Sequence, residues 1–66
     1  SWDLSIDTLV HLLQHDTSWI RREAIKALGD FGPSASRAIG PIRTLLRDEG
    51  VKEAAEKALQ QIEANP

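Results

Sequence analysis

Asp7, His11 and His15 recur every fourth residue, so an α-helix would stack two imidazoles and a carboxylate along one face. That donor set suits a transition metal. A zinc hydrolase built on such a histidine pair needs a glutamate beside the first histidine as general base. Position 12 is Leu12, and no third ligand stands near in sequence. A solvated helix face is therefore the favoured reading of the trio. Ser18 and Ser34 fall where helices start or turn, with no base visibly paired to either hydroxyl. Gly29, Gly32, Gly40 and Gly50 sit at helix ends or a kink, outside the strand-loop-helix setting of a phosphate cradle. No catalytic residue, metal or cofactor is expected.

The other chemistry the chain offers is charge. The net is −2, but residues 20–47 hold Arg21, Arg22, Lys26, Arg37, Arg43 and Arg47 against Glu23 and Asp30, a local balance of +4 between two acidic flanks. Such a block draws polyanions. Acidic flanks and few aromatics argue against nucleic acid, and solvated faces with ion pairs are the favoured reading. Arg22 and Lys26, one helical turn apart, are the best local pair for an acidic partner.

Four helical segments must position these groups. Ile6, Leu9, Val10 and Leu13, widened by Leu12, predict a helix over about Asp3 to His15. Asp16, Thr17 and Ser18 then break the chain, with Thr17 as the expected cap of a second helix that buries Ile20, Ala24, Ala27, Leu28 and Phe31 and stops at Gly32-Pro33. Ala35, Ala38, Ile39, Ile42, Leu45 and Leu46 keep one helical phase through Pro41. Either a kinked helix runs from about Ser34 to Arg47, or Pro41 opens a separate helix; continuity of phase favours the kink. Asp48 is the expected cap of a last helix that buries Val51, Ala54, Ala55, Ala58, Leu59 and Ile62. Glu53 with Lys57, or Lys52 with Glu56, are spaced for pairing on its surface.

The length of 66 residues, with 41% hydrophobic and 27% charged, allows one small core and no second domain. With no cysteine, neither a disulfide nor a Cys-ligated zinc supports it. No apolar run approaches the roughly 20 residues of a bilayer span, and Ser1, Trp2 and Asp3 do not begin a targeting signal, so cytoplasm is the default expectation. The missing initiator Met and the short length also fit a piece of a longer or an engineered chain.

The two halves are copies. Ile20, Ala24, Ala27, Leu28 and Phe31 return 31 residues later as Val51, Ala55, Ala58, Leu59 and Ile62, and Leu9, Leu12 and Leu13 return 33 residues later as Ile42, Leu45 and Leu46. Repeated helix pairs of this length point to a solenoid, in which each unit leaves an apolar face for the next. Its two ends differ. The last helix shows Lys52, Glu53, Glu56, Lys57, Gln60, Gln61 and Glu63 outside its stripe and reads as a cap. The first is apolar on more than one side. Preceding repeats of a longer chain, a second copy or a different protein are the candidates to cover it, with Trp2 and Leu4 contributing to that docking unless Trp2 folds back on the core.

Leu12-Leu13, Asp16, Ile20-Arg21, Ala24 and Ala27-Leu28-Gly29, echoed by Leu45-Leu46, Asp48, Val51-Lys52, Ala55 and Ala58-Leu59, resemble the HEAT repeats, in particular the short type of the phycobilisome lyases. The resemblance implies an all-α fold of two helical hairpins, about residues 3–32 and 33–63, stacked as a short α-solenoid and working as a protein-binding scaffold. It further implies that the second helix of each hairpin lines the concave, partner-docking surface. It also implies that Asp16 with Arg21, and Asp48 with Lys52, knit neighbouring units. The residues expected to meet a partner protein are Trp2, Leu4, Trp19, Arg22, Lys26 and Asp30. Two alternatives stand beside the scaffold: nucleic-acid binding through residues 20–47, and an accessory domain of a larger lyase-type enzyme.

Overall fold

A computed structural model describes residues 5–64, and those residues are helical with no strand. The order is α1 (Ile6–Leu12), α2 (Ser18–Phe31), a 3-10 segment (Gly32–Ala38), α3 (Ile39–Thr44), a 3-10 turn (Leu45–Arg47) and α4 (Lys52–Glu63). Counted as uninterrupted helical runs they make three, where four helices were expected. The 3-10 segment carries the chain from α2 into α3 without a break.

The helix ends follow local hydrogen bonding more than apolar periodicity. α1 starts at Ile6 because the Ser5 hydroxyl accepts from the Thr8 amide at 3.2 Å. It closes at Leu12, short of His15, because the amides of Leu13, Gln14 and His15 each donate to a carbonyl three residues back, which tightens the chain out of the α form. Thr17 does stand at the cap of α2, but through its main chain. Its carbonyl accepts from Ile20 and Arg21, and its side chain caps nothing. α2 ends as expected at Gly32, whose φ of 61° belongs to the left-handed region open to glycine.

The segment beyond is neither of the two forms foreseen. It runs unbroken, yet its bend lies at Ala35 (φ −96°, ψ 25°) rather than at Pro41. Pro41 sits in the first turn of α3, where an amide would have no intrahelical acceptor to lose. The cap of α4 is Val51, not Asp48. The Asp48 carboxylate accepts from the Gly50 amide at 3.0 Å and so shapes the turn before the helix.

The core gathers thirteen side chains, of which Ile25, Leu28, Ile42 and Val51 are the largest fully enclosed. Ile25, absent from the expected stripe of α2, has no exposed surface, whereas Phe31, expected inside, is 42% exposed. α2 is central: it packs against α1 on one side and α4 on the other, and α4 also touches the 3-10 segment and α3. Gly29 permits the close approach of α2 to α4. A Cβ placed there would lie 3.2 Å from the Cα and Cβ of Ala58 and would overlap the side-chain amide of Gln61.

Candidate partner-docking groove

The central position of α2 leaves a groove of about 720 Å³ beside its contact with α4. Arg22, Lys26 and Asp30, spaced by helical turns, line the α2 side. Lys52, Glu53, Glu56, Lys57 and Gln61 line the α4 side, with Glu49 at the turn that leads into it. The structure thus brings three of the expected partner-binding residues onto one surface. Trp19 is 58% exposed near the start of α2 and is not among the lining residues. Trp2 and Leu4 lie outside the described residues.

Four cationic and four anionic side chains line this groove, so it carries no excess of positive charge. Nearly all are unengaged. Lys26 reaches Glu23 at 3.5 Å, but Arg22, Asp30, Glu49, Lys52, Glu53, Glu56 and Lys57 form no ion pair among the described residues. The foreseen pairs Glu53 with Lys57 and Lys52 with Glu56 are not made. Arg22 is half-buried, and its side chain has no hydrogen bond among the described residues. The α4 wall was missed in the sequence although a signal for it existed. The 31-residue offset maps Arg22, Lys26 and Asp30 onto Glu53, Lys57 and Gln61, all of which face the groove.

The rest of the basic block is dispersed. Arg37 pairs with Asp7 at 2.9 Å and Arg43 with Glu63 at 2.7 Å. Arg21 is the best-held cation. Its guanidinium donates to the carbonyls of His15 (2.6 Å) and Asp16 (2.9 Å) and pairs with the Asp48 carboxylate at 3.2 Å. Of the two unit-knitting pairs foreseen, Asp16 with Arg21 is hydrogen-bonded, through the main chain, and Asp48 with Lys52 is not formed. Arg21 meets the main chain of Asp16 rather than its carboxylate, and Asp48 receives Arg21 of α2 rather than Lys52 of its own helix. The fork of an arginine can serve two carbonyls and a carboxylate at once, whereas an ammonium is a single point charge. The result is a clamp between the turn before α2 and the turn before α4, which keeps the groove walls in register.

No group of histidine, cysteine and acidic side chains that could hold a metal forms among the described residues. α1 ends before His15, the His15 Nδ1 accepts from the Thr17 amide at 3.0 Å, and Asp7 is engaged by Arg37. No described helix is long and apolar enough to cross a membrane.

Residues 3–62, nearly the whole chain, match the family model described as HEAT repeats. The chain belongs to the HEAT repeats. No curated protein and no solved structure matches it. HEAT repeats generally mediate protein–protein interaction and are typically non-catalytic scaffolds. In this HEAT chain the groove lies between α2 and α4, and the Arg21–Asp48 clamp ties α2 to the turn that leads into α4.

Proposed function

We propose that the chain is a docking module: two HEAT hairpins, about residues 3–32 and 33–63, stacked as a short α-solenoid that holds a segment of another protein between α2 and α4 and carries out no reaction of its own. The single observation that supports this reading most is Arg22, a half-buried residue lining the groove whose side chain has no hydrogen bond or ion pair among the described residues. A free guanidinium offers a carboxylate two parallel charge-assisted hydrogen bonds. Charges of both signs on the groove walls favour a partner segment that itself carries both, with its acidic group placed on Arg22 and Lys26 and its basic group on Glu53 and Glu56. Asp30 contributes at the far end of the α2 wall, and Trp19 offers an anchor at the start of that helix. The short repeat type of the phycobilisome lyases and a cytoplasmic setting belong to the same reading.

The test is recovery of binding proteins on the immobilised chain, with Arg22→Ala/Lys26→Ala compared with Ser36→Ala at low and high salt. The paired variant is expected to lose bound partner, and to lose more of it at low salt because exposed charges are screened at high salt. Equal recovery on both variants at both salt levels would remove the groove from the binding surface.

A further inference from the structure

The turns before α2 and α4 are built on the same contact with different acceptors. Before α4, the Asp48 carboxylate accepts from the Gly50 amide two residues on, at 3.0 Å. Before α2, the His15 Nδ1 accepts from the Thr17 amide two residues on, also at 3.0 Å. Asp and Asn ordinarily make this contact, and their side-chain oxygens remain acceptors throughout the neutral range. An imidazole nitrogen accepts only while it is unprotonated.

The same two turns share Arg21. Its Nη1 donates to the carbonyls of His15 and Asp16 at 2.6 and 2.9 Å, and its Nη2 meets the Asp48 carboxylate at 3.2 Å. Its Nε is enclosed and has no partner among the described residues, so these contacts are what hold the guanidinium. Two of them come from the main chain of the turn that the imidazole folds. The charged groups around His15 are Asp16 beside it, Arg21 from α2 and Asp48 from the turn before α4. On α1, which leads into the turn, Asp7 is engaged by Arg37, and His11 makes no side-chain hydrogen bond or ion pair among the described residues.

From this placement we infer that His15 is a proton-sensitive latch on the clamp between α2 and the turn before α4. With the imidazole neutral, Nδ1 holds the Thr17 amide and the turn presents both carbonyls to Arg21. Once protonated, Nδ1 carries a hydrogen that opposes the amide hydrogen, and the ring must swing away. The same proton sets a second cation beside the guanidinium. Both effects free the two carbonyls from their places, and the hold of Arg21 on Asp48 loosens with them. Histidine changes charge between about pH 5 and 8, so the latch is closed above that range and opens as pH falls through it. The state of His15 therefore sets how firmly the groove walls are held, whether or not a partner sits between them.

Nuclear magnetic resonance of the nitrogen-15-labelled chain tests the latch directly. At about pH 7.5 a nitrogen–nitrogen scalar coupling across the hydrogen bond is expected between the Thr17 amide and the His15 Nδ1, and at about pH 5 it should vanish, with the same midpoint as the His15 ring titration. The loosening is read from thermal melts. The drop in midpoint caused by Asp48→Asn should be at least about twofold larger at about pH 7.5 than at about pH 5.5, at equal ionic strength. His15→Asn keeps an acceptor two residues before Thr17 and takes up no proton, so in that background the drop should be the same at both pH values. His11→Asn should leave the pH response intact. A coupling absent at about pH 7.5, or one that survives protonation of His15, overturns the inference. So does an Asp48→Asn effect that is equal at both pH values in the unchanged chain, or one that keeps its pH dependence in the His15→Asn background.

Discussion

α2 and α4 repeat the same apolar positions 31 residues apart, yet they live in different surroundings. α2 packs against α1, the 3-10 segment and α4, and α4 against α2, the 3-10 segment and α3, yet α4 presents Glu56, Gln60 and Glu63 to solvent. At the matched pair Ile25 and Glu56, one side chain has no exposed surface and the other is open. Position within a repeat assigns a side chain to a face. The neighbouring repeat decides whether that face is core or surface.

Paired substitutions at matched positions probe that contrast. The largest difference is expected at Ile25 and Glu56. Ile25→Glu places a carboxylate in the core and should leave the chain unfolded by far-UV circular dichroism at room temperature, because the penalty exceeds what so small a core supplies. Glu56→Ile should stay folded with nearly unchanged stability. Equal behaviour of the two would mean that α4 is as enclosed as α2.

Leu28 and Leu59 come next. Leu28→Ala, at a side chain with no exposed surface, should cost about 3–5 kcal/mol in urea melts, and Leu59→Ala, 8% exposed, about 2–3 kcal/mol. A reversed order would place the tighter packing on α4. At Gly29, Val would press on the main chain of Ala58 and should cost about 1–3 kcal/mol, whereas Gln60→Ala should shift the melt by less than about 0.5 kcal/mol.

The smallest difference concerns the turns. Asp48→Asn removes the charge that meets Arg21 and should cost up to about 1 kcal/mol, less at high salt, since the pair is partly solvated. Asp16→Asn should leave the thermal midpoint unchanged. If Asp16→Asn costs as much as Asp48→Asn, the Asp16 carboxylate has an intramolecular partner in solution.

Much of the fold was legible because helical periodicity and chain breaks are local properties. Ala55, Ala58, Leu59 and Ile62 of the predicted stripe are buried in α4, with Val51 buried at its cap and Ala54 only partly covered, and the stop at Gly32 follows from a residue free to adopt a left-handed φ. Where the structure departs from the sequence expectation, either a distant helix intervened or local hydrogen bonding overrode apolar spacing. The apolar stripe predicted for α2 holds Phe31 and omits Ile25, whereas packing against α1 and α4 encloses Ile25 and leaves Phe31 42% exposed. α1 was drawn too long because apolar spacing continues past Leu12 while the hydrogen bonds tighten. On the candidate site, Arg22, Lys26 and Asp30 were legible in the sequence, but their apposition to the mixed-charge wall of Lys52, Glu53, Glu56 and Lys57 came only with the packing of α4.

The order of apolar residues, caps and breaks, read along the chain, specified an all-helical unit in two similar halves, because helical phase and chain breaks depend on contacts within a few residues. The pairing of Arg21 with Asp48, the mixed charge of the groove and the open state of Phe31 were decided only in the tertiary structure. They depend on which helix lies beside which. An arginine with carbonyls and carboxylates within reach takes the set that its fork can satisfy together, and that set is assembled only when the turns before α2 and α4 come together.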